Sequence, residues 1–481
     1  MVASEATPFA KTGGLADVLG ALPKALAARG DQVAVIMPLY SKAGHYPEHL
    51  ENAYQDLRVW LGWHSLPVNI MKAKHDGVDY YFVDAPELYD REALYSVGNH
   101  DYPDNLERFA VLSHATLATI RHLFRPQIVH CHDWQAGLVP PLIRHQYRFD
   151  PTFYGIKIIF TIHNIGYQGQ FDRQQLINIG LDAGLYRPDL LEFYGRGNLL
   201  KGGLVFADWI TTVSRAYAQE IQTPDNSFGL DGLLRARSPV VSGILNGVDY
   251  GVWSPETDRH IAEHYSAADL SGKRKCKADL LRAFGLPTDN LDRPVIGVVS
   301  RFAWQKGFDL LCDAGEDLAR EDMQFVALGS GDPGYEHALT SLAQRHPAKI
   351  GVRIGYDNPL AHKIEAGSDM FVMPSRYEPS GLNQMYSLHY GTVPIVRATG
   401  GLDDTVDQAV GFKFHDYTRE ALIGTIRAAI AAYGDREGWR KMMLAGMARD
   451  HSWEHAAGEY QELYNQVLGI TQPVAAKAVT G

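Results

Sequence analysis

Apolar runs of strand length alternate with segments of helical period along nearly the whole chain, and no other feature restricts the fold as tightly. Candidate strands lie at 32–38, 127–132, 157–163, 209–214, 294–300, 324–329, 349–355 and 370–374. Several are unbroken apolar runs, the pattern of parallel strands covered on both faces. Repeated βαβ units follow, and with them a doubly wound α/β architecture. At 481 residues the chain is too long for one ordinary core. The best boundary lies just after Asn246-Gly247-Val248-Asp249, where a strand-like run ends in turn chemistry. A polar stretch follows, and a fresh strand begins near Pro294. The expected division is 1–249, 250–452 and a closing segment 453–481, with a deep cleft at the carboxyl ends of two Rossmann-like sheets. The tail after Thr471 is small and mixed in character, and fraying is expected there.

Composition narrows the function. A formal net charge of −11 argues against a nucleic-acid partner, which needs clustered Lys and Arg. It leaves room for a phosphate ligand held by a few local cations. The three cysteines, Cys131, Cys276 and Cys312, are widely spaced, with neither a disulfide framework nor a zinc motif, which favours a reducing compartment. No basic stretch followed by a long apolar run opens the chain, and no apolar run approaches the ~20 residues of a membrane span. No membrane partner is expected, and the cytoplasm is the default location. The stub before Glu5 is short for a central strand, as if further residues of that strand preceded it.

Five motifs carry chemistry. Lys11-Thr12-Gly13-Gly14-Leu15-Ala16-Asp17 leads into a helix in which Leu15, Val18, Leu19, Leu22 and Leu26 share a face. Two glycines at a helix start let backbone N–H groups approach an anion, and Lys11 adds a full charge. An ordinary strand-to-helix turn fits the same residues equally well. Pro23 sits inside the pattern and should kink it. His130-Cys131-His132-Asp133-Trp134 closes a strand, so His130 and His132 share a face and metal ligation is conceivable. With no third ligand at convincing spacing, a hydrogen-bonded cluster is the better reading, and no metal is expected. Asp133 then becomes an acceptor for a sugar hydroxyl. Phe160-Thr161-Ile162-His163-Asn164 ends the next strand, where a histidine at a carboxyl end is a candidate for function. Ser300-Arg301-Phe302 with Gln305-Lys306-Gly307 follows the first strand of the second domain and suits a diphosphate clamp. Glu378-Pro379-Ser380-Gly381-Leu382-Asn383 follows another strand; Gly381 and Leu382 are expected to open a helix, with Glu378 directed into the cleft. Gly329-Ser330-Gly331-Asp332-Pro333-Gly334 fits the dinucleotide fingerprint but follows the second strand of its domain instead of the first, so it is read as a glycine-rich loop.

Taken together these segments resemble a known family. KTGGLADV at 11–18, HCHDW at 130–134, FTIHN at 160–164, LNGVD at 245–249, SRFAWQKG at 300–307, IGYDN at 354–358, EPSGLNQ from Glu378 and TGGLDDTV at 399–406 stand in the order found in bacterial glycogen synthases and plant starch synthases. The likeness runs from the first residues to about Tyr464. It implies the GT-B fold, ADP-glucose as donor, the non-reducing end of an α-1,4-glucan (glycogen) as acceptor, retention of configuration and no cofactor. Carried over by motif, Lys11 and Gly14 lie at the donor phosphates and Asp17 near the ribose. His163, Asp133 and Asn246 surround the transferred glucose. Arg301 and Lys306 neutralise the departing diphosphate, Tyr356 stacks on the base, and Glu378 holds a glucose hydroxyl. Ser380 and Asn383 stand where many relatives have Cys and Thr; with Gly381 and Leu382 they form the remaining substrate contacts. Family chains commonly return their last helix to the first domain, which places the segment after Ser452 there.

The implied reaction passes through an oxocarbenium-like state in a water-poor cleft, with leaving-group charge stabilised by fixed cations. No Asp-x-Asp motif offers a divalent ion a seat. The back-face group is either the His163 carbonyl or absent, with attack from the leaving-group side. Rival readings are a PLP-dependent glucan phosphorylase, a non-catalytic glucan-binding protein and, from the glycine loop alone, an NAD oxidoreductase.

Overall fold

The computed structural model describes residues 1–98 and 100–470. Contacts divide the chain into two compact units. Unit 1 holds Met1–Val213, Ala218–Gly247 and Trp453–Gly481, and unit 2 holds Ser214–Tyr217 and Val248–Ser452. The expected fraying after Thr471 concerns residues outside those described.

The principal strands of unit 1 are β1 (Ala34–Pro38), β2 (Glu51–Leu61), β3 (His64–His75), β4 (Val78–Asp84), β5 (Ile128–His132), β6 (Lys157–Ile162), β7 (Trp209–Thr212) and β8 (Val241–Gly243). They form two ladders, β1-β4-β3-β2 and β8-β7-β6-β5. The opening stub joins them, because Val2 bridges Ile36 on one side and Cys131 on the other. Strands leave this stub in opposite directions, so the residues just after Val2 and just after β5 sit at a reversal of strand order, where open α/β sheets bind ligands. The hairpin β2–β3 is antiparallel and escapes a reading based on apolar runs. Most of β2 is exposed or half-buried, with only Val59 and Leu61 buried.

The helix Gly14–Ala28 buries Leu15, Val18, Leu19, Leu22 and Leu26, the face set by their spacing, and runs on through Pro23. The last helix, Trp453–Leu468, packs against it. Arg29 Nε donates to Gln461 Oε1 at 3.1 Å, and His130 Nδ1 meets the Tyr464 hydroxyl at 2.8 Å.

Unit 2 contains β9 (Val295–Val299), β10 (Gln324–Gly329), β11 (Ile350–Ile354), β12 (Met370–Met373), β13 (Val393–Arg397) and β14 (Phe412–Phe414). The order is β11-β10-β9-β12-β13-β14, and every pairing is parallel. Alternate residues serve opposite faces. Ile296, Val298, Phe325, Ala327, Met370 and Val372 join one core, and Val295, Val326, Leu328 and Phe371 join the other. Each of these side chains other than Ala327 contributes about 1.5–3 kcal/mol when fully buried. Strand order reverses between β9 and β12, so the loops after these two strands flank the switch point of this sheet.

The observed parallel strands stop one or two residues short of several apolar runs. β6 ends at Ile162 and β12 at Met373. The residues beyond, His163 and the stretch leading to Glu378, have left the ladder.

Candidate active site

In unit 1 the loop after the stub folds over a buried carboxylate. Glu5 is 3% exposed. Its Oε2 accepts from the Thr12 N–H at 2.5 Å, and its Oε1 accepts from the Thr12 hydroxyl at 3.0 Å and the Tyr95 hydroxyl at 2.9 Å. Burial raises the Glu5 carboxyl, against the pull of these donors. Lys11 and Asp17 face each other across the helix start, Nζ to Oδ1 at 2.7 Å, and Gly14 opens the helix. The charge that Lys11 brings to this turn is therefore partly offset by Asp17.

The loops after β5 and β6 meet through Asp133. Its backbone sits at φ 57°, ψ −179°, a region few residues other than glycine enter and one that costs of order 1–3 kcal/mol. The strain turns the carboxylate back across the strand ends, where Oδ1 accepts the His163 N–H at 2.7 Å. Burial pushes the Asp133 carboxyl up to about 7, with the His163 and Asn164 amides pulling the other way. Burial likewise holds His163 neutral, down to about 3.

His163 Nε2 lies 3.0 Å from His132 Nδ1. The buried His132 Nε2 has no hydrogen-bond partner among the described residues, and a bare lone pair is tolerated there better than a stranded N–H. The proton of His132 is thus assigned to Nδ1, which donates to His163 Nε2 and leaves the His163 proton on Nδ1. His130 spends both nitrogens on protein, one on Tyr464 and the other on Thr161 at 2.6 Å. Among the described residues no group of three His, Cys, Asp or Glu is arranged to hold a metal. Asn246, in the loop after β8, is 7% exposed, and its buried Oδ1 has no hydrogen-bond partner among the described residues.

In unit 2 the switch point carries the charge. Arg301, just past β9, is exposed. Lys306 ends the turn Trp304–Lys306, and its Nζ lies 2.8 and 2.6 Å from the two oxygens of Glu378. Glu378 is 4% exposed and also accepts from the Ser375 hydroxyl at 3.0 Å. The two cations expected as a clamp differ in surroundings: Lys306 has a protein counter-charge, whereas no ion pair of Arg301 is found among the described residues. The pair also means that Glu378 is fixed before any ligand arrives.

The helix after Glu378 starts at Asn383, with Leu382 as its N-cap. Gly381 does not open it because its φ of 68° is left-handed. Asn383 Nδ2 donates to the Val299 carbonyl at 3.0 Å, so that side chain ties the loop to β9. Ser380 is 7% exposed, and its hydroxyl donates to the Gly381 carbonyl at 3.3 Å. The TGGLDDTV segment explains itself here. A Cβ on Gly400 would stand 2.0 Å from the Glu378 carbonyl, and one on Gly401 would stand 1.9 Å from that of Ser380. Two glycines let this backbone press against the Glu378–Ser380 loop, and the Gly401 N–H donates to the Glu378 carbonyl at 3.0 Å.

Tyr356 stands past β11 with 88% of its surface exposed. The glycine-rich loop at 329–334 has a packing role. Cβ atoms on Gly329 and Gly331 would collide with the Ser300 and Phe302 carbonyls at 1.8 and 2.3 Å. The Gly331 N–H is already taken by Glu336 at 2.8 Å. Sequence reasoning missed Tyr95, Ser375 and the His132–His163 contact. Tyr95 lies 90 positions from Glu5, and nothing local marks it.

Two families match the chain, "Starch synthase catalytic domain" over residues 1–236 and "Glycosyl transferases group 1" over 287–442. A glycogen synthase of Koribacter versatilis is 52% identical over 480 residues, 98% of each chain. One from Anaeromyxobacter dehalogenans is 47% identical over 471 residues, 96% of this chain and 98% of its own. The catalytic domain of Starch Synthase IV from Arabidopsis thaliana, bound to ADP and acarbose, superposes with a TM-score of 0.85 at 32% identity, covering 97% of this chain and 98% of that one. Sucrose-phosphate synthase from Thermosynechococcus elongatus shares the fold at a TM-score of 0.60 and 18% identity, covering 98% of this chain and 99% of its own.

Proposed function

Because the chain belongs to the glycogen synthase family, we propose that it transfers glucose from ADP-glucose to the non-reducing end of an α-1,4-glucan, with retention at the anomeric carbon. The observation that carries this reading is the switch point of unit 2. An arginine for which no ion pair is found among the described residues and a buried, hydrogen-bonded carboxylate stand on the two loops that flank it. The first suits a departing diphosphate and the second a sugar hydroxyl. A glucan-binding protein without catalysis would need the second and not the first.

In this reading Arg301 meets the charge that develops as the glucose–phosphate bond lengthens. Lys306 shares its charge between Glu378 and the phosphate, and it also orients the carboxylate. Tyr356 offers its open face to the base, and Ser380, Gly381, Leu382 and Asn383 shape the loop around the donor. Lys11, Gly14 and Asp17 are assigned to the phosphates and ribose. Asp133, His163 and Asn246 are assigned to glucose: a carboxylate, an imidazole N–H and an unpartnered amide oxygen are an acceptor and donor set fitted to hydroxyls. Retaining hydrolases use a free carboxylate nucleophile. Asp133 is bound to backbone amides and Glu378 to Lys306, so neither is offered as one. The three free cysteines fit a reducing compartment, and among the described residues no helix is long and apolar enough to cross a membrane. We take the cytoplasm as the setting.

The test is incubation with ADP-glucose and glycogen, followed by ADP release and digestion of the product with an exo-acting enzyme specific for α-1,4 ends. Release of ADP coupled to digestible new glucose supports the reading. ADP release without incorporation, or incorporation only from another nucleotide sugar, overturns it.

A further inference from the structure

The β2–β3 hairpin of unit 1 has a feature that the proposed chemistry leaves unused. β3 pairs with β4 only as far as Asn69 opposite Asp84, yet β2 and β3 stay paired out to Leu61 opposite His64. Residues 64–68 therefore run beyond the end of β4, roughly 16 Å at about 3.3 Å per residue. β4 is parallel to β1, so the overhang rises from the carboxyl edge of the sheet, the edge that also carries Asp133 and His163.

The overhang is braced on one face and bare on the other. Val59 and Leu61 are buried, and the Gly62 backbone lies so close to Ile177 that a Cβ would stand 2.1 Å from its carbonyl oxygen. His64 Nε2 is held by Glu107 at 3.2 Å. On the open side Trp60 is 64% exposed; Trp63 in the turn is 78% exposed, with its ring 4.7 Å from that of His64, and Ile177 is 65% exposed. Elsewhere the exposed positions of β2 are polar: Glu51, Asn52, Gln55, Asp56 and Arg58. Polar side chains of that kind protect an edge strand from pairing with other chains, and two open tryptophans at its tip forfeit that protection.

We infer that this tip is a platform for the incoming glucan chain, with Trp60 and Trp63 stacking on glucose rings well away from the reacting end. The inference rests on the proposed acceptor being a glucan. A pyranose presents an axial C–H face, which meets the negative face of an indole, and a rim of hydroxyls that stay in water. Size separates a sugar from a protein partner. Two indoles at this exposure offer about 300 Å², well under the roughly 800 Å² that each side of a stable protein interface buries. The acceptor is a polymer, so it can reach such a platform while its end is being extended, and the second contact then raises avidity without touching the chemistry.

The test uses the full chain and the double variant Trp60→Ala/Trp63→Ala, with Trp60→Phe/Trp63→Phe as the conservative pair. Glycogen binding is measured by co-sedimentation without donor, and KM is measured for glycogen and for maltotriose. The platform predicts roughly tenfold weaker glycogen binding and higher glycogen KM in the Ala pair. The maltotriose KM, kcat and melting temperature should stay unchanged, and the Phe pair should recover most of the affinity. Unchanged glycogen binding in a folded Ala pair overturns the inference. So does an equal loss for maltotriose, or a parent dimer that the Ala pair abolishes. If the parent binds glycogen through these tryptophans yet releases no ADP, the platform stands and the proposed transfer fails. If transfer is intact and the Ala pair binds as the parent does, the reverse holds.

Discussion

The candidate centres of the two units solve different electrostatic problems. In unit 1 the ionisable groups are pressed toward neutrality. Asp133 is pushed up to about 7 and His163 down to about 3, and Glu5 is raised; the charged pair Lys11–Asp17 stands apart from them at the more exposed helix start. In unit 2 opposite charges are paired, Lys306 against Glu378, and no ion pair of Arg301 is found among the described residues. Buried hydrogen-bonding groups are suited to a polyhydroxylated sugar, and an exposed guanidinium is suited to a diphosphate. Burial alone does not decide which kind of centre results, since Asp133 and Glu378 are both nearly enclosed. The counter-charge differs: Glu378 faces an ammonium, whereas the backbone N–H groups on Asp133 do not outweigh its burial.

The largest expected effect follows from breaking the pair in unit 2. Lys306→Ala leaves the Glu378 carboxylate buried and unpaired, which should cost about 3–5 kcal/mol of stability, together with a large loss of kcat. The double variant Lys306→Met/Glu378→Gln removes both charges and should regain most of the melting temperature while staying inactive. If that variant recovers activity as well, the pair is structural and the leaving-group charge in unit 2 rests on Arg301 alone.

Next comes the strained carboxylate of unit 1. The folded pKa of Asp133, about 7, lies above its ordinary 3.8. Between those values the folded chain holds a proton that the unfolded chain has released, so stability falls as pH rises through that window. Asp133→Asn removes this dependence and should melt higher than the parent at pH 8, by a few degrees or so, while kcat falls about tenfold or more. The parent should show an acid limb near pH 7 that the variant lacks. A variant with the parent's pH profile would take Asp133 out of the site.

The smallest effect concerns the open ring of unit 2. Tyr356→Ala should weaken ADP binding by about 1–3 kcal/mol, the worth of one base–aromatic stack, with Tyr356→Phe near the parent. Equal affinity in the Ala variant would leave the exposed ring without a ligand.

The legibility of the two centres in the sequence also differs. The parallel strands of unit 2 are apolar on both faces, so their runs are visible and the loops after them can be located from the runs alone. Arg301, Lys306 and Glu378 were all placed on such loops. The pairing of Lys306 with Glu378 was not foreseen, because 72 positions separate them and only the adjacency of β9 and β12 brings them together. In unit 1 the half-exposed β2 has no apolar run to read, so the hairpin and its two tryptophans went unseen. His130 and His132 were legible as a pair on one face, but their partners Tyr464 and His163 come from distant segments. The glycine-rich loop misleads for a physical reason: close approach of two backbones demands the same residues as close approach to a phosphate.

The most direct test is the rate of ADP release from ADP-glucose with glycogen, in chelator, for the parent and for Arg301→Ala. Fixed cations should carry the leaving-group charge, so the parent should keep its rate. The variant should lose on the order of 2.7–4 kcal/mol in the barrier, about a hundred- to a thousandfold, and added magnesium should not restore it. A parent that stops in chelator and revives with magnesium, or an Arg301→Ala variant within about threefold of the parent, would contradict the account.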